Sequence, residues 1–199
     1  GSNGDFGVSV FSDSKYGWDK PDDHTLRLTC LHTPAGAFIK EARQDLMDLG
    51  RNRFGFGIYS HKGGWQTDTQ TAAEAFSKPL VAFQTSARKD GKLGSAFSAA
   101  ALNTENALLR AFKKSEDGSG YIVRVGEAAG QAQKAVTFSV YRAIAGATLC
   151  TADERPIQAI EIKNGQLTFD LKPFEVKTFL LTFETEKLPR EKFKKMELP

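Results

Sequence analysis

The sequence lacks most of the signatures by which a chain announces its chemistry. Its 199 residues hold only two cysteines, Cys30 and Cys150, and no CxxC pair, so the thiols alone do not make a zinc site. They sit far apart in strand-like runs, where free cysteines behave as small core hydrophobes; a long-range disulfide is the other arrangement open to them. The three histidines, His24, His32 and His61, show no metal-ligand spacing. No GxSxG elbow, GxxxxGK[ST] phosphate loop or HExxH is present. No run approaches the ~20 apolar residues of a membrane helix. Charge of one sign is missing too: 27 Lys and Arg face 24 Asp and Glu, a net of +3, with no dense basic stripe for nucleic acid. Neither a membrane nor a nucleic acid is therefore an expected partner. With 40% hydrophobic and 11% aromatic residues, the chain is also too apolar to stay disordered.

What is present is period-two alternation broken by turns, the pattern of antiparallel β-structure. Phe6, Val8 and Val10 share one strand face, Leu26, Leu28 and Cys30 another, and Phe54, Phe56 and Ile58 a third. Opposite the last set stand Gly55 and Gly57, which imply that a backbone or a bulky group lies close. The Ala-rich stretch Thr69–Ser77 predicts the one helix, with Thr69 or Thr71 as its cap and Pro79 closing it off. Strands are then expected at 80–84, 96–101, 107–112, 121–127, 135–141, 147–150, 159–162, 166–171 and 176–183. Asn164-Gly165 predicts a two-residue hairpin turn, because both central positions of a type I′ turn need positive φ. Phe179, Leu180 and Leu181 are apolar on both strand faces, as in a central strand covered on each side. So many strands with one short helix near 69–77 give an all-β fold, a large antiparallel β-sandwich. Gly1-Ser2 reads as a scar of tag removal, 3–183 as the sandwich domain, and 184–199 as a charged tail. The compartment is left open, since the native N-terminus is taken to be missing.

Three loops concentrate the chemically useful side chains. Ser12–Asp19 carries Asp13, Lys15, Tyr16 and Trp18, an acid, a base and two aromatics that suit a sugar or simply cap the end of a sandwich. The long connection 32–50 carries Asp45 and Asp48 and is followed by Arg51. The glycine-rich turn at 60–65 carries His61 and Trp65. Two carboxylates ~5–9 Å apart would serve a glycosidase, but spacing in sequence does not measure that distance.

At these loops the chain resembles a known family. Gly7-Val8-Ser9-Val10-Phe11-Ser12-Asp13-Ser14-Lys15-Tyr16-Gly17-Trp18-Asp19 is similar to the strand and loop that open the C-terminal region of the glycoside hydrolase family 38 α-mannosidases. The likeness continues through Thr25–Leu28, Leu31–Pro34, Gln44-Asp45, Asp48–Arg51, Phe54, Tyr59–Gly63 and Trp65. It resumes at Tyr121–Gly130 and closes at Leu171–Thr178, whose Pro173-Phe174-Glu175 resembles the family's PFE motif. His32 departs from the pattern, standing where arginine is common.

The resemblance implies a C-terminal β-sandwich similar to the galactose-mutarotase supersandwich, belonging to a larger enzyme. In that family a separate N-terminal barrel hydrolyses terminal α-mannosides with retention, using zinc held by a His-x-Asp pair, the nucleophilic Asp and a further His. This chain contains no His-x-Asp. The implied role is thus non-catalytic: no cofactor of its own, zinc in the absent domain, and the barrel and an α-mannoside or oligosaccharide as partners. Asp13, Lys15, Tyr16, Trp18, Asp45, Asp48, Arg51 and His61 are the candidates for the pocket or barrel-facing surface. A stand-alone carbohydrate-binding module is the alternative. A sugar epimerase with His61 as acid and Glu127 as base is a third, weaker reading.

Overall fold

A computed structural model describes residues 4–32, 49–86, 90–91 and 96–184. The chain divides into two compact units, residues 1–91 with 128–131, and residues 92–127 with 132–199.

The second unit is a β-sandwich. One layer is an antiparallel five-stranded sheet in the order β10-β9-β12-β7-β6, formed by Pro156–Ile160, Ile144–Cys150, Val176–Phe183, Tyr121–Glu127 and Ala107–Lys114. The other, in the order β11-β8-β5, is formed by Leu167–Leu171, Gln133–Val140 and Ala100–Leu102. Alternation decides which side chains are buried. Leu167, Phe169 and Leu171 point into the core while Thr168 and Asp170 stay exposed. They join Val136 and Phe138 from their own layer and Val123, Val125, Phe179 and Leu181 from the facing one. Phe169 and Phe179 meet with ring centroids 4.7 Å apart, within the range of favourable aromatic pairing. The central position of β12 follows from its sequence: Phe179 is opposite Val123 on one side and Leu149 on the other.

Asn164 and Gly165 both adopt positive φ, 53° and 69°, as the turn requires. The turn is closed by the single bridge Lys163–Gln166, and the strands it joins part at once, β10 to one layer and β11 to the other. A second backbone special is Ala135, at φ 50°, in the stretch of β8 facing an irregularity of β11. Its N–H donates to Asp170 Oδ1 at 3.0 Å.

The first unit is built on a two-stranded ribbon of β1 (Phe6–Ser12) and β4 (Phe56–Lys62). Its Gly7, Ser9 and Phe11 face lies beside His61, Tyr59 and Gly57 and carries the helix α1 (Thr69–Ser77). Phe11 packs on Phe76 of the helix and on Tyr59, with centroids 5.8 and 5.9 Å apart. A Cβ on Gly57 would come within 3.1 Å of the Phe76 ring, and one on Gly55 within 2.8 Å of the Asp13 carboxylate, so both glycines do make room for bulky groups. The helix has the expected bounds but not the expected cap. Asp68 holds the cap position with no side-chain capping bond; its Oδ2 accepts the Tyr59 hydroxyl at 2.6 Å, and the Thr69 hydroxyl is engaged by Ser9.

Three further departures concern strands, and in the first the stretch expected at 96–101 pairs only from Ala100, as β5. Trp18–Asp22 forms β2, paired with β3 (Thr25–Leu28), although its first two residues read as loop. All five of its residues are exposed, so no apolar alternation marks it. Conversely, 80–84 forms no strand: it runs without a ladder partner among the described residues and is exposed throughout. Cys150 is buried, whereas Cys30 is only half-buried, and both thiols are free. Burial pushes the Cys150 thiol up.

Candidate functional site

The loop after β1 is held by its own polar residues. The Asp13 N–H donates to the Gly55 carbonyl at 3.2 Å, and Asp13 Oδ1 accepts the Gly55 N–H at 2.9 Å. The same oxygen takes the Ser14 hydroxyl at 2.7 Å, and the Lys15 N–H donates to Ser12 Oγ at 2.9 Å. The Gly55 N–H, and next the Ser14 hydroxyl, hold the Asp13 carboxyl below the usual carboxylate range. Asp13 is therefore an ionised clamp rather than a proton donor at neutral pH.

Clamping Asp13 presents the next residues. Lys15 Nζ lies 5.6 Å from the centroid of Phe54, a cation–π contact, and Tyr16 is 85% exposed. Gly17 turns back against β3's extension, its carbonyl accepting the Thr29 N–H at 2.8 Å. A Cβ there would press on the Thr29 side chain at 3.1 Å. Between the two segments opens a pocket of about 380 Å³ lined by Ser14, Lys15, Tyr16, Gly17, Thr29, Cys30, Leu31 and His32. Its lining includes an ammonium, two hydroxyls, an imidazole, a thiol and a phenol. Thr29 and Cys30 had no sequence signal as lining residues; they enter through pairing across Gly17.

The eight candidates are not one constellation. Lys15 and Tyr16 line the pocket, and Asp13 braces their loop. Trp18 lies on β2 opposite Leu28, partly exposed; next to it, Asp19 accepts Arg27 Nε at 2.6 Å in an exposed two-point ion pair. Arg51 is exposed. Asp45 and Asp48 lie outside the described residues.

His61 is placed differently from a turn residue. It sits within β4, 7% exposed, six residues beyond Gly55, which is about 20 Å of extended chain. Its Nε2 is 3.1 Å from Ser9 Oγ, which in turn is 3.0 Å from Thr69 Oγ1, and its ring stacks on Tyr59. His61 thus joins strand to helix inside its unit and does not reach the loop of Asp13. Glu127, the partner proposed for it in an epimerase, is also committed elsewhere. It is 4% exposed and accepts the Phe174 N–H at 2.8 Å, fixing a turn in which Phe174 has φ 58°.

A second open pocket, of about 440 Å³, lies in the sandwich unit beside Lys114, Tyr121, Arg142 and Phe183. Arg142 lies over the Phe183 ring at 5.6 Å and donates to the Glu184 carbonyl at 2.8 Å, so its charge is turned toward the end of the described chain. Among the described residues no three His, Cys, Asp or Glu side chains gather as metal ligands.

Comparison with known proteins agrees with this architecture. Residues 106–179, which run from β6 into β12, match the glycosyl hydrolases family 38 C-terminal beta sandwich domain. The chain is also similar to alpha-mannosidase G of Dictyostelium discoideum, 27% identical over 184 residues, or 88% of this chain. It spans only 16% of that relative's length.

Proposed function

From a chain whose residues 106–179 match the glycosyl hydrolases family 38 C-terminal beta sandwich domain, we infer a non-catalytic part of a larger retaining α-mannosidase. On this reading the chain packs against a catalytic barrel outside the sequence and helps to complete its substrate pocket. The observation that carries it is the relationship to an α-mannosidase along 88% of the chain. Zinc then belongs to the barrel, and this chain contributes groups that bind and orient. Lys15 donates to sugar hydroxyls as a point charge, and the exposed Tyr16 ring supports a C–H face of the pyranose. Asp13 keeps both in place.

The test compares this chain with its longer parent on an aryl α-mannoside. The parent turns the substrate over, and the isolated chain does not. In the parent, Lys15→Ala and Tyr16→Ala each raise KM or lower kcat/KM by about tenfold, the loss of roughly 1.4 kcal/mol of transition-state binding. Turnover by the isolated chain overturns the reading of the chain as non-catalytic, and unchanged kinetics in both variants overturns the pocket role. The exposure of Tyr16, beside a partly exposed Trp18, favours the carbohydrate-binding module as a second reading. Titration calorimetry of the isolated chain with mannobiose separates the two: submillimolar affinity lost in Tyr16→Ala supports the module.

A further inference from the structure

We infer that residues 80–84 are a sheet strand whose partner strand lies in the part of the parent protein outside this chain. The inference rests on the reading of the chain as one portion of a longer hydrolase and names where the missing portion attaches. Leu80, Val81, Ala82 and Phe83 are consecutive apolar residues, so a strand there presents apolar side chains on both faces, the mark of a strand covered on each side. Yet Leu80, Val81 and Phe83 are 103%, 84% and 85% exposed. Every residue from Ser77 to Ser86 is exposed, and no ladder forms along 80–84. A bare apolar segment of this composition is a ready template for strand pairing, an exposure that natural chains usually cover.

A second feature of the same unit points the same way. Among the described residues the β1–β4 ribbon has two strands, and a ribbon of that size depends on what packs on its faces. One face carries α1, whereas on the other Phe56 and Ile58 of β4 are 59% and 71% exposed. Among the described residues, the 80–84 segment thus has no strand neighbour and this face of the ribbon has no cover. The occupant is the remainder of the parent chain, because the related mannosidase extends far beyond the 16% that matches here. Its docking element is a sheet edge with an apolar inner face, which pairs with the 80–84 backbone and encloses Leu80, Val81 and Phe83.

Hydrogen exchange read by mass spectrometry tests this on the isolated chain and on the full-length parent. In the isolated chain, amides in 80–84 exchange within about tenfold of the unstructured rate; in the parent they slow by about 100-fold or more. Val81→Pro in the parent, which removes one ladder donor, returns the neighbouring amides to fast exchange while β7 and β12 stay protected. Equally fast exchange in parent and isolated chain overturns the inference. So does protection in the isolated chain accompanied by a concentration-dependent dimer in sedimentation, which would make the occupant a second copy. Aryl α-mannoside turnover keeps the two readings apart. An active parent with an unprotected segment sinks the strand alone; a protected segment in an inactive parent supports the strand and sinks the mannosidase reading.

Discussion

Replacing Gly7 by alanine puts a methyl group into the buried histidine. A Cβ at this position would lie 2.2 Å from His61 Cε1 and 2.8 Å from both His61 Nδ1 and the Gly63 carbonyl. Ordinary contact begins near 3.4 Å, so the imidazole must retreat by more than 1 Å. It has little freedom to do so, because its other face stacks on Tyr59 and Nε2 is bonded to Ser9. Overpacking costs about 1–3 kcal/mol, and loss of the Ser9 bond adds about 1 kcal/mol. Gly7→Ala is therefore expected to destabilise the first unit by about 2–4 kcal/mol. Urea denaturation should follow a reporter local to that unit, such as Trp18 or Trp65 fluorescence, since both tryptophans belong to it. The cross-check is the His61→Ala background. There most of the clash is gone and only the Gly63 carbonyl still crowds the methyl, so Gly7→Ala should cost at most half as much, a coupling of about 1 kcal/mol or more. Equal costs in the two backgrounds, or no cost in either, would refute the packing described for His61.

Three further outcomes follow from other parts of the fold. Phe179→Ala, at 1% exposure in the sandwich core, should cost about 3–5 kcal/mol by denaturation of the second unit; a loss below 1 kcal/mol would contradict the core assignment. The Asp13 carboxyl should titrate below the usual carboxylate range by NMR, because folding depresses its pKa. Its contribution is complete above the unfolded value and disappears as pH falls through the folded one, and Gly55→Ala, by displacing the clamp, should move the titration back up. Asp117, drawn down to about 2 first by the Ser119 N–H and then by its hydroxyl, should titrate higher in Ser119→Ala; an unmoved midpoint would refute the hydroxyl's part.

What the sequence made legible was whatever local chemistry specifies. The bounds of α1, β7 and β12 follow from Ala-rich patterning, proline punctuation and apolar alternation, and the Asn164-Gly165 turn from its need for two positive φ angles. The polar strand β2 carries no such pattern, and its pairing with β3 is held by cross-strand geometry and the Asp19–Arg27 pair. In the candidate site, Lys15 and Tyr16 were readable because they share one loop. The burial of His61 was not, since the space it fills is opened by a glycine 54 positions earlier, and its flanking Ser60, Lys62, Gly63 and Gly64 give a turn's local signal. The strings around Gly7 and His61 nonetheless both belong to the family resemblance, and the ribbon register places them side by side.

The position of β12 sets the order of events when the protein is made. The last strand among the described residues is the third of five across its sheet, separating β9 from β7. Until the ribosome has released Phe183, those two earlier strands have no common neighbour, and the layer cannot close. A chain cut before Val176 would leave β6–β7 and β9–β10 as two unjoined hairpins in this layer, however complete the other layer is.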